Sequence, residues 1–177
     1  MRPWDQANDY SHIANTTYET AERITVYVNG NLAWGEEPQS ALSVSSINQM
    51  DAPNDIMIRP SLRLHNHTDT PIDLSDVTLR YYLGANDAAD LITQCDYAEI
   101  GCANISTEIV DNALSVTFDG TLSANSSSDL NLRVHYANFA PIDETADYSY
   151  NGRRATYMPH HSVTLTVEDQ LMWGIAP

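Results

Sequence analysis

Residues 71–82 read PIDLSDVTLRYY, and this stretch carries the clearest structural signal in the chain. Apolar and polar side chains alternate from Val77 to Leu83, which places them on opposite faces of an extended strand. The Pro, Asp and Ser residues before Val77 are typical of the turn that leads into such a strand. The stretch therefore predicts a β-strand with one buried face.

Strands of the same kind are predicted on both sides of this stretch. The alternating pattern, rich in Val, Ile, Thr and Tyr, recurs at residues 24–28, 61–65, 114–118, 130–136 and 163–167. Clusters of Asn, Asp, Ser, Gly and Pro separate these segments, and no window shows the period of an amphipathic helix. Several short strands at this spacing predict an all-β fold, either a sandwich or a barrel.

Composition narrows the classes of partner. The 177 residues include 24 Asp and Glu but only 8 Lys and Arg, all of them Arg, and the formal net charge is −16. Such a charge disfavours nucleic acid and anionic membrane surfaces, which are bound by clustered Lys and Arg. No apolar run approaches the ~18 residues of a membrane-spanning helix. The acidic, lysine-free composition also suggests a saline environment, because salt screens surface self-repulsion.

The two cysteines, Cys95 and Cys102, lie seven positions apart and have no histidine beside them. They can be small buried apolar residues or a local covalent link, whereas a metal site would need further ligands nearby. If the protein is exported, a Cys95–Cys102 disulfide that closes a short loop is expected.

An internal repeat defines the organisation of the chain. Residues 24–28 followed by 31–35 align with residues 163–167 followed by 170–174, at an offset of 139 positions. The stretch from residue 39 to residue 177 also counts 139 positions, which makes it one repeat unit. We therefore predict a tail-like fragment of a preceding module at 1–38, a linker at 39–41 and a complete module at 42–177.

The sequence resembles the family 3 carbohydrate-binding modules of cellulases and scaffoldins. Residues 58–62, 65–68 and 71–82 are similar to that family's first half, and residues 163–174 and 24–38 are similar to its last hairpin. The resemblance implies a jelly-roll β-sandwich of about nine strands with a calcium site. It also implies a flat polar and aromatic face that lies on crystalline cellulose.

The resemblance implies calcium ligands in two segments, the turn after residue 82 and the stretch from 143 to 147. Calcium prefers six to eight oxygen ligands, including carboxylates and backbone carbonyls from flexible loops. This sequence departs from the family where Gly84 replaces Thr and Ala146 replaces Asn. Alternatively, the acids simply belong to a generally acidic surface. The expected ligands are Gly84, Asn86, Asp87, Asp143, Ala146 and Asp147.

Two sugar-binding surfaces are implied in the same way. The cellulose-binding strip would consist of Asp96, Tyr97, Arg133 and Phe139, with Phe139 at a position where the family has Trp. The loop at 101–106 lacks the aromatic residue that the family carries there, so we expect weaker binding. Tyr97 and Phe139 can also be an ordinary loop tyrosine and a strand-end residue.

A second surface, a shallow groove, would be lined by Arg80, Tyr82 and Tyr148. These can also be residues at the edge of the core whose polar ends reach solvent.

These observations lead to two functional hypotheses. The first is a non-catalytic, extracellular module that adsorbs to cellulose or a related insoluble β-glucan and is attached to or associated with a glycoside hydrolase. No carboxylate pair or G-x-S-x-G motif stands out that would indicate an enzyme. The second is a structural or protein-interaction module that has lost glycan binding and assembles by strand exchange through residues 1–38.

Overall fold

The computed structural model describes residues 26–28, 31–34, 40–50, 52–84 and 90–177. The chain divides into two compact units, residues 1–39 and residues 40–177. Within the described ranges, no helix is long and apolar enough to cross a membrane. The predicted linker at 39–41 straddles the boundary between the units, and Ser40 Oγ donates a hydrogen bond to the carbonyl of Met172 at 2.8 Å.

Strands dominate the described residues, among which short 3-10 turns lie at Cys102–Asn104 and Glu144–Ala146. The strands are β1 Val26–Val28, β2 Asn31–Trp34, β3 Leu42–Asn48, β4 Asn54–Asp55, β5 Ser61–Asn66, β6 Ile72–Asp73, β7 Val77–Tyr82, β8 Leu91–Ala98, β9 Ile105–Val110, β10 Ala113–Phe118, β11 Thr121–Leu122, β12 Ser127–Tyr136, β13 Ile142–Asp143, β14 Arg154–Pro159, β15 Val163–Val167 and β16 Gln170–Trp173.

Two five-stranded antiparallel sheets form the larger unit. Sheet I has the strand order β14-β3-β5-β12-β8, and sheet II has the order β16-β15-β7-β10-β9. The inner faces of both sheets contribute to one apolar core. The all-β prediction is confirmed, and the arrangement is a jelly-roll β-sandwich rather than the barrel that the pattern also allowed.

Side-chain alternation explains which face of each strand is buried. In β5 and β12 nearly every second residue is buried, so that Leu62, Leu64 and Leu132 point into the core. Burying one leucine side chain stabilises the fold by about 2 kcal/mol. The intervening residues of these strands form the outer face of sheet I, where side chains are available for binding.

The smaller unit contains an antiparallel hairpin made of β1 and β2. Its register matches that of the β15–β16 hairpin of the larger unit pair for pair at the 139-position offset, including a register shift after the first pair. The pairs are Val26–Trp34, Tyr27–Leu32 and Val28–Asn31 in one hairpin, and Leu165–Trp173, Thr166–Leu171 and Val167–Gln170 in the other.

Candidate functional site

A β-bulge in β8 positions the first two residues of the predicted strip. Asn131 pairs with Tyr97, but the next residue, Leu132, pairs with Cys95, so Asp96 is an extra residue in the strand. A bulge of this kind turns consecutive side chains to the same face. Asp96 and Tyr97 are accordingly both exposed on the outer face of sheet I, and 51% of Tyr97 is accessible to solvent.

Arg133 on the neighbouring strand β12 is joined to Asp96 by an ion pair between Nη2 and Oδ1. The Arg133 Nε atom lies 3.2 Å from both carboxylate oxygens. The two side chains are about one-third exposed, so the pair remains accessible to solvent and contributes little to stability. Its structural effect is to hold both polar ends beside Tyr97.

Phe139 lies in the turn after β12, and its ring stacks on His135 with 4.4 Å between centroids and 4° between planes. The Phe139 N–H donates to the carbonyl of Tyr136 at 2.9 Å, and Phe139 has a left-handed φ of 53°. This conformation is uncommon for a bulky residue. The turn therefore holds an aromatic ring flat and 44% exposed at the end of β12.

The four predicted residues share the outer face of sheet I, which we call the strip (Asp96, Tyr97, Arg133 and Phe139). Tyr97 lies opposite Asn131 and Phe139 lies over His135, four residues further along β12. At ~3.3 Å per residue, the two aromatic rings are separated by roughly 13 Å along the strand. Two further members of this face, Asn131 and His135, were missed in the sequence, although their period-2 spacing with Arg133 was a usable signal.

A second ion pair stiffens the same face next to the strip. Arg63 Nε and Nη2 donate to the two oxygens of Asp129 at 2.5 Å and 2.9 Å, and the guanidinium carbon lies 3.9 Å from the ring centre of Tyr157. This bidentate contact holds the pKa of Asp129 below its usual range. The ion pair and the cation–π contact link side chains on three strands of sheet I, β5, β12 and β14.

Cys95 and Cys102 are joined by a disulfide, with 5.7 Å between their Cα atoms. Cys95 pairs with the buried residue Leu132 and therefore faces inward and packs against the core. The bond fastens the end of β8 to the 3-10 turn at Cys102–Asn104. It therefore constrains the backbone directly beneath the strip.

The predicted groove residues lie together on the outer face of sheet II, on the opposite side of the sandwich from the strip. The rings of Tyr82 and Tyr148 meet edge to face, with 5.9 Å between centroids. Tyr82 shares a hydrogen bond of 2.8 Å with Thr164, and Arg80 lies two residues before it on the same face. All three groove side chains reach solvent to some extent.

The segments expected to bind calcium also meet in the fold. The Gly84 N–H donates to Asp147 Oδ1 at 2.5 Å, and a Cβ on Gly84 would lie 3.1 Å from the carbonyl oxygen of Ala146. Asp143 Oδ1 accepts hydrogen bonds from the N–H and hydroxyl of Thr145, so it caps the 3-10 turn. Asn86 and Asp87 lie outside the described residues.

The chemistry of these donors fits a calcium ion. Asp147 is buried, and its Oδ2 atom has no hydrogen-bond partner among the described residues. Burial raises the pKa of Asp147 to about 6, and burial together with the nearby Asp147 charge raises that of Glu144 to about 8. No three His, Cys, Asp or Glu side chains converge as a metal cluster in the described ranges. A calcium ion here would therefore combine the carboxylates of Asp147 and Asp143 with backbone carbonyl oxygens.

Comparison with known proteins identifies the family. A sequence model of the family described as "cellulose binding domain" matches residues 1–35 and 43–174. The chain is 30% identical over 134 residues to endoglucanase A of Paenibacillus lautus, a match that covers 70% of the chain and 19% of the enzyme. It is also 27% identical to the anti-sigma-I factor RsgI4 of Acetivibrio thermocellus, covering 63% of the chain and 24% of that protein. The chain thus spans about a quarter or less of either relative.

A solved structure of similar sequence supports the same assignment. CBM3b of the major scaffoldin subunit ScaA from Acetivibrio cellulolyticus superposes with a TM-score of 0.70 at 28% identity, covering 77% of this chain and 97% of that module. The family match takes in both copies of the repeated hairpin and almost all of the larger unit. The chain belongs to the cellulose binding domain family, the family 3 carbohydrate-binding modules, whose members are non-catalytic.

Proposed function

We propose that the chain adsorbs to cellulose or a related insoluble β-glucan through the strip, as a module of an exported, multi-domain protein. The observation that carries the proposal is the bulge in β8, which turns Asp96 and Tyr97 to the face that also holds Arg133 and Phe139. The similarity to an endoglucanase and to a scaffoldin module supports attachment to a polysaccharide-degrading system.

The strip combines the two kinds of contact that a glucan surface requires. The exposed rings of Tyr97 and Phe139 offer flat apolar surfaces for the apolar faces of glucose units. Asp96 and Arg133 are held between them and can exchange hydrogen bonds with hydroxyl groups at the ring edges. Because the ion pair and the stacked His135 fix these groups before binding, little side-chain entropy is lost on adsorption.

Adsorption to microcrystalline cellulose tests the proposal. We expect Tyr97→Ala and Phe139→Ala each to weaken binding about tenfold, since one stacking contact is worth about 1–1.5 kcal/mol. Tyr97→Phe retains the ring and should bind nearly as well as the native protein. The measurement is a depletion isotherm at several salt concentrations.

Tyr148→Ala is the matched control, because Tyr148 is a similarly exposed tyrosine on the outer face of sheet II. It should adsorb like the native protein. If Tyr148→Ala weakens adsorption and Tyr97→Ala does not, the groove is the binding surface and the strip is not. Failure of the native protein to adsorb at any salt concentration would contradict the proposal as a whole.

We also propose that calcium stabilises this module by binding at Asp147, Asp143 and the carbonyl groups of Gly84 and Ala146. A cation would satisfy the buried Oδ2 atom of Asp147 and offset its desolvation.

Thermal unfolding tests calcium binding. When calcium is added back to chelator-treated protein, the melting temperature should rise, because a ligand at a hundredfold excess over its Kd adds about 2.7 kcal/mol to the free energy of unfolding. Asp147→Asn should abolish this response, whereas the exposed control Asp119→Asn should retain it; an unchanged melting temperature in the native protein would refute calcium binding.

A second candidate function is assembly by strand exchange, which the two matching hairpins favour. Val26 and Trp34 of the β1–β2 hairpin are 43% and 44% exposed, whereas their repeat equivalents Leu165 and Trp173 are 0% and 8% exposed. A hairpin outside a larger sheet is only marginally stable. We propose that β1–β2 of one chain replaces β15–β16 beside β7 of a second copy, with Val26 opposite Leu79, as Leu165 is now.

The molar mass in solution tests this exchange. We expect a dimer fraction that grows with concentration in light scattering, more so after brief incubation in mild denaturant. Trp34→Ala should lower the dimer fraction, while Trp34→Phe, which keeps an aromatic ring, should largely preserve it. A monomeric mass at all concentrations before and after that incubation would exclude exchange.

A further inference from the structure

The larger unit contains a cavity of about 420 Å³ that no sequence pattern indicated. This volume lies within the usual range of ~300–1,000 Å³ for small-molecule sites. The exposed side chain of Met50 forms part of the rim, so the cavity opens to solvent. It is lined by Ile47, Asn48, Gln49, Met50, Ala52, Arg59, Ser61, Asn131, Glu144, Tyr150 and Tyr157.

The lining combines aromatic surfaces with neutral hydrogen-bonding groups. Tyr150 and Tyr157 contribute half-buried rings, and Ser61, Gln49 and Asn131 contribute a hydroxyl group and two amides. A sugar unit presents apolar C–H faces and a rim of hydroxyl groups, and it needs this mixture of surfaces. A purely apolar ligand would leave the amides unpaired in the cavity, at a cost in free energy.

The charges in the cavity do not favour an anion. Its only lining cation among the described residues, Arg59, donates to Asp55 at 2.6 Å and is thereby neutralised. Glu144 is a buried carboxyl group in the same wall, and the chain as a whole carries a net charge of −16. The ligand class that fits this environment is a neutral polyol.

The cavity is continuous with the strip through one row of paired residues across sheet I. Tyr97 pairs with Asn131, Asn131 pairs with Ser61, and Ser61 pairs with Ile47. Strands are spaced by about 4.8 Å, so Ser61 lies roughly 10 Å from Tyr97 and Ile47 lies roughly 14 Å from it. The last three residues of this row belong to the cavity wall.

We propose that the cavity receives a single sugar unit, at the end or at a branch of a neutral glycan chain whose neighbouring units lie on the strip. The inference rests on the proposed glycan binding and adds a substrate class to it. A flat strip contacts only the upper surface of a chain, whereas a cavity can enclose a unit that projects from it. The chain would therefore prefer frayed, cut or branched glycan over an unbroken crystal face.

Calorimetric titration of the full chain with soluble cello-oligosaccharides of two to six units tests this inference. We expect the oligosaccharide of two units to bind already, with little gain in affinity beyond three units, because one enclosed unit dominates the contact. Ala52→Trp should fill the cavity and lower the affinity at least tenfold. Gln49→Ala, a change of an exposed rim residue, should lower it severalfold without affecting the core.

The strip variants separate the two proposals. Tyr97→Ala should lose adsorption to microcrystalline cellulose but still bind the two-unit oligosaccharide. Ala52→Trp should still adsorb to microcrystalline cellulose but lose binding of the two-unit oligosaccharide. Retained adsorption and an unchanged melting temperature in Ala52→Trp would show that it is folded. The cavity assignment is overturned if oligosaccharide binding is absent in the native protein or survives Ala52→Trp, even when adsorption through the strip is confirmed. The cavity assignment is also overturned if a disaccharide of galacturonate binds more tightly than the neutral cello-oligosaccharide of two units.

Discussion

At the scale of single residues, His160 is a titratable side chain that the fold buries almost completely. It is 3% exposed, its Nε2 atom lies 2.5 Å from Asn151 Nδ2, and its Nδ1 atom has no hydrogen-bond partner among the described residues. Tyr81 packs edge-on against the imidazole ring. Burial therefore lowers the pKa of His160 to about 3, and the ring is neutral in the folded protein.

This burial makes an unfavourable contribution to stability in acid. In the unfolded chain a histidine takes up a proton below about pH 6.5, whereas folded His160 does so only near pH 3. At this site the unfolded state thus binds more protons between these values, so His160 lowers the free energy of unfolding as the pH falls through this window. Glu144 and Asp147, whose pKa values are raised in the folded protein, contribute with the opposite sign. The loss amounts to at most about 5 kcal/mol, at about 1.4 kcal/mol per pKa unit.

Denaturant unfolding at pH 7, 5 and 4 measures this effect. His160→Gln, which cannot take up a proton, should lack this contribution, so that its free energy of unfolding rises relative to that of the native protein as the pH is lowered, even if its stability at pH 7 is lower. His67→Gln changes an exposed histidine and should leave the slope as in the native protein. An equal slope in all three proteins would show that His160 is not the group responsible.

At the scale of elements, the β15–β16 hairpin depends on one glycine. Gly174 follows β16 with a left-handed φ of 82°, and a Cβ built on it would lie 2.0 Å from the carbonyl oxygen of Val163. No side chain fits in that space, so Gly174 allows the chain to pass directly over the start of β15. The preceding residue, Trp173, then packs into the core and donates its indole N–H to the carbonyl of His160 at 3.1 Å.

Replacing this glycine should weaken the whole hairpin. We expect Gly174→Ala to lower the free energy of unfolding by about 3 kcal/mol or more, because backbone must move and the left-handed conformation becomes strained. Gly152→Ala is the matched control, since its Cβ would meet nothing within 4 Å in the described part of the chain. Tryptophan fluorescence during denaturant unfolding, to which Trp173 contributes, measures the stability of both variants; equal stability would contradict the role assigned to Gly174.

The elements also show what the sequence can and cannot predict. Alternating side chains located β5, β7, β10, β12 and β15, because burial of one face leaves a period of two in the sequence. The strands β3, β8, β9 and β14 were missed. The bulge in β8 left no such trace, since an extra residue such as Asp96 interrupts the period without a residue type that marks it. Tyr97 was assigned to the strip by resemblance, and only the pairing register shows why it faces outward.

At the scale of the whole molecule, a site built from several distant segments leaves no pattern in the sequence from which it could be predicted. The cavity is lined from β3, β5, β12, β14 and the loops between them, and no two of its central residues form a motif. The strip could be predicted because a family pattern supplied its residues, and the all-β fold could be predicted from composition and period alone. The expected ligands Asn86 and Asp87 stay predictions, as does the separation into fragment, linker and module.

The contact between Ser40 and Met172 has a mechanical consequence. Ser40, at the start of the larger unit, lies beside β16, which is both its last strand and an edge strand of sheet II. Tension between residue 40 and Pro177 would load that contact first and then peel β16 from β15 one hydrogen bond at a time, instead of shearing the sandwich. Under such a load the edge of sheet II would yield before sheet I, and the outer face that carries the strip would stay folded.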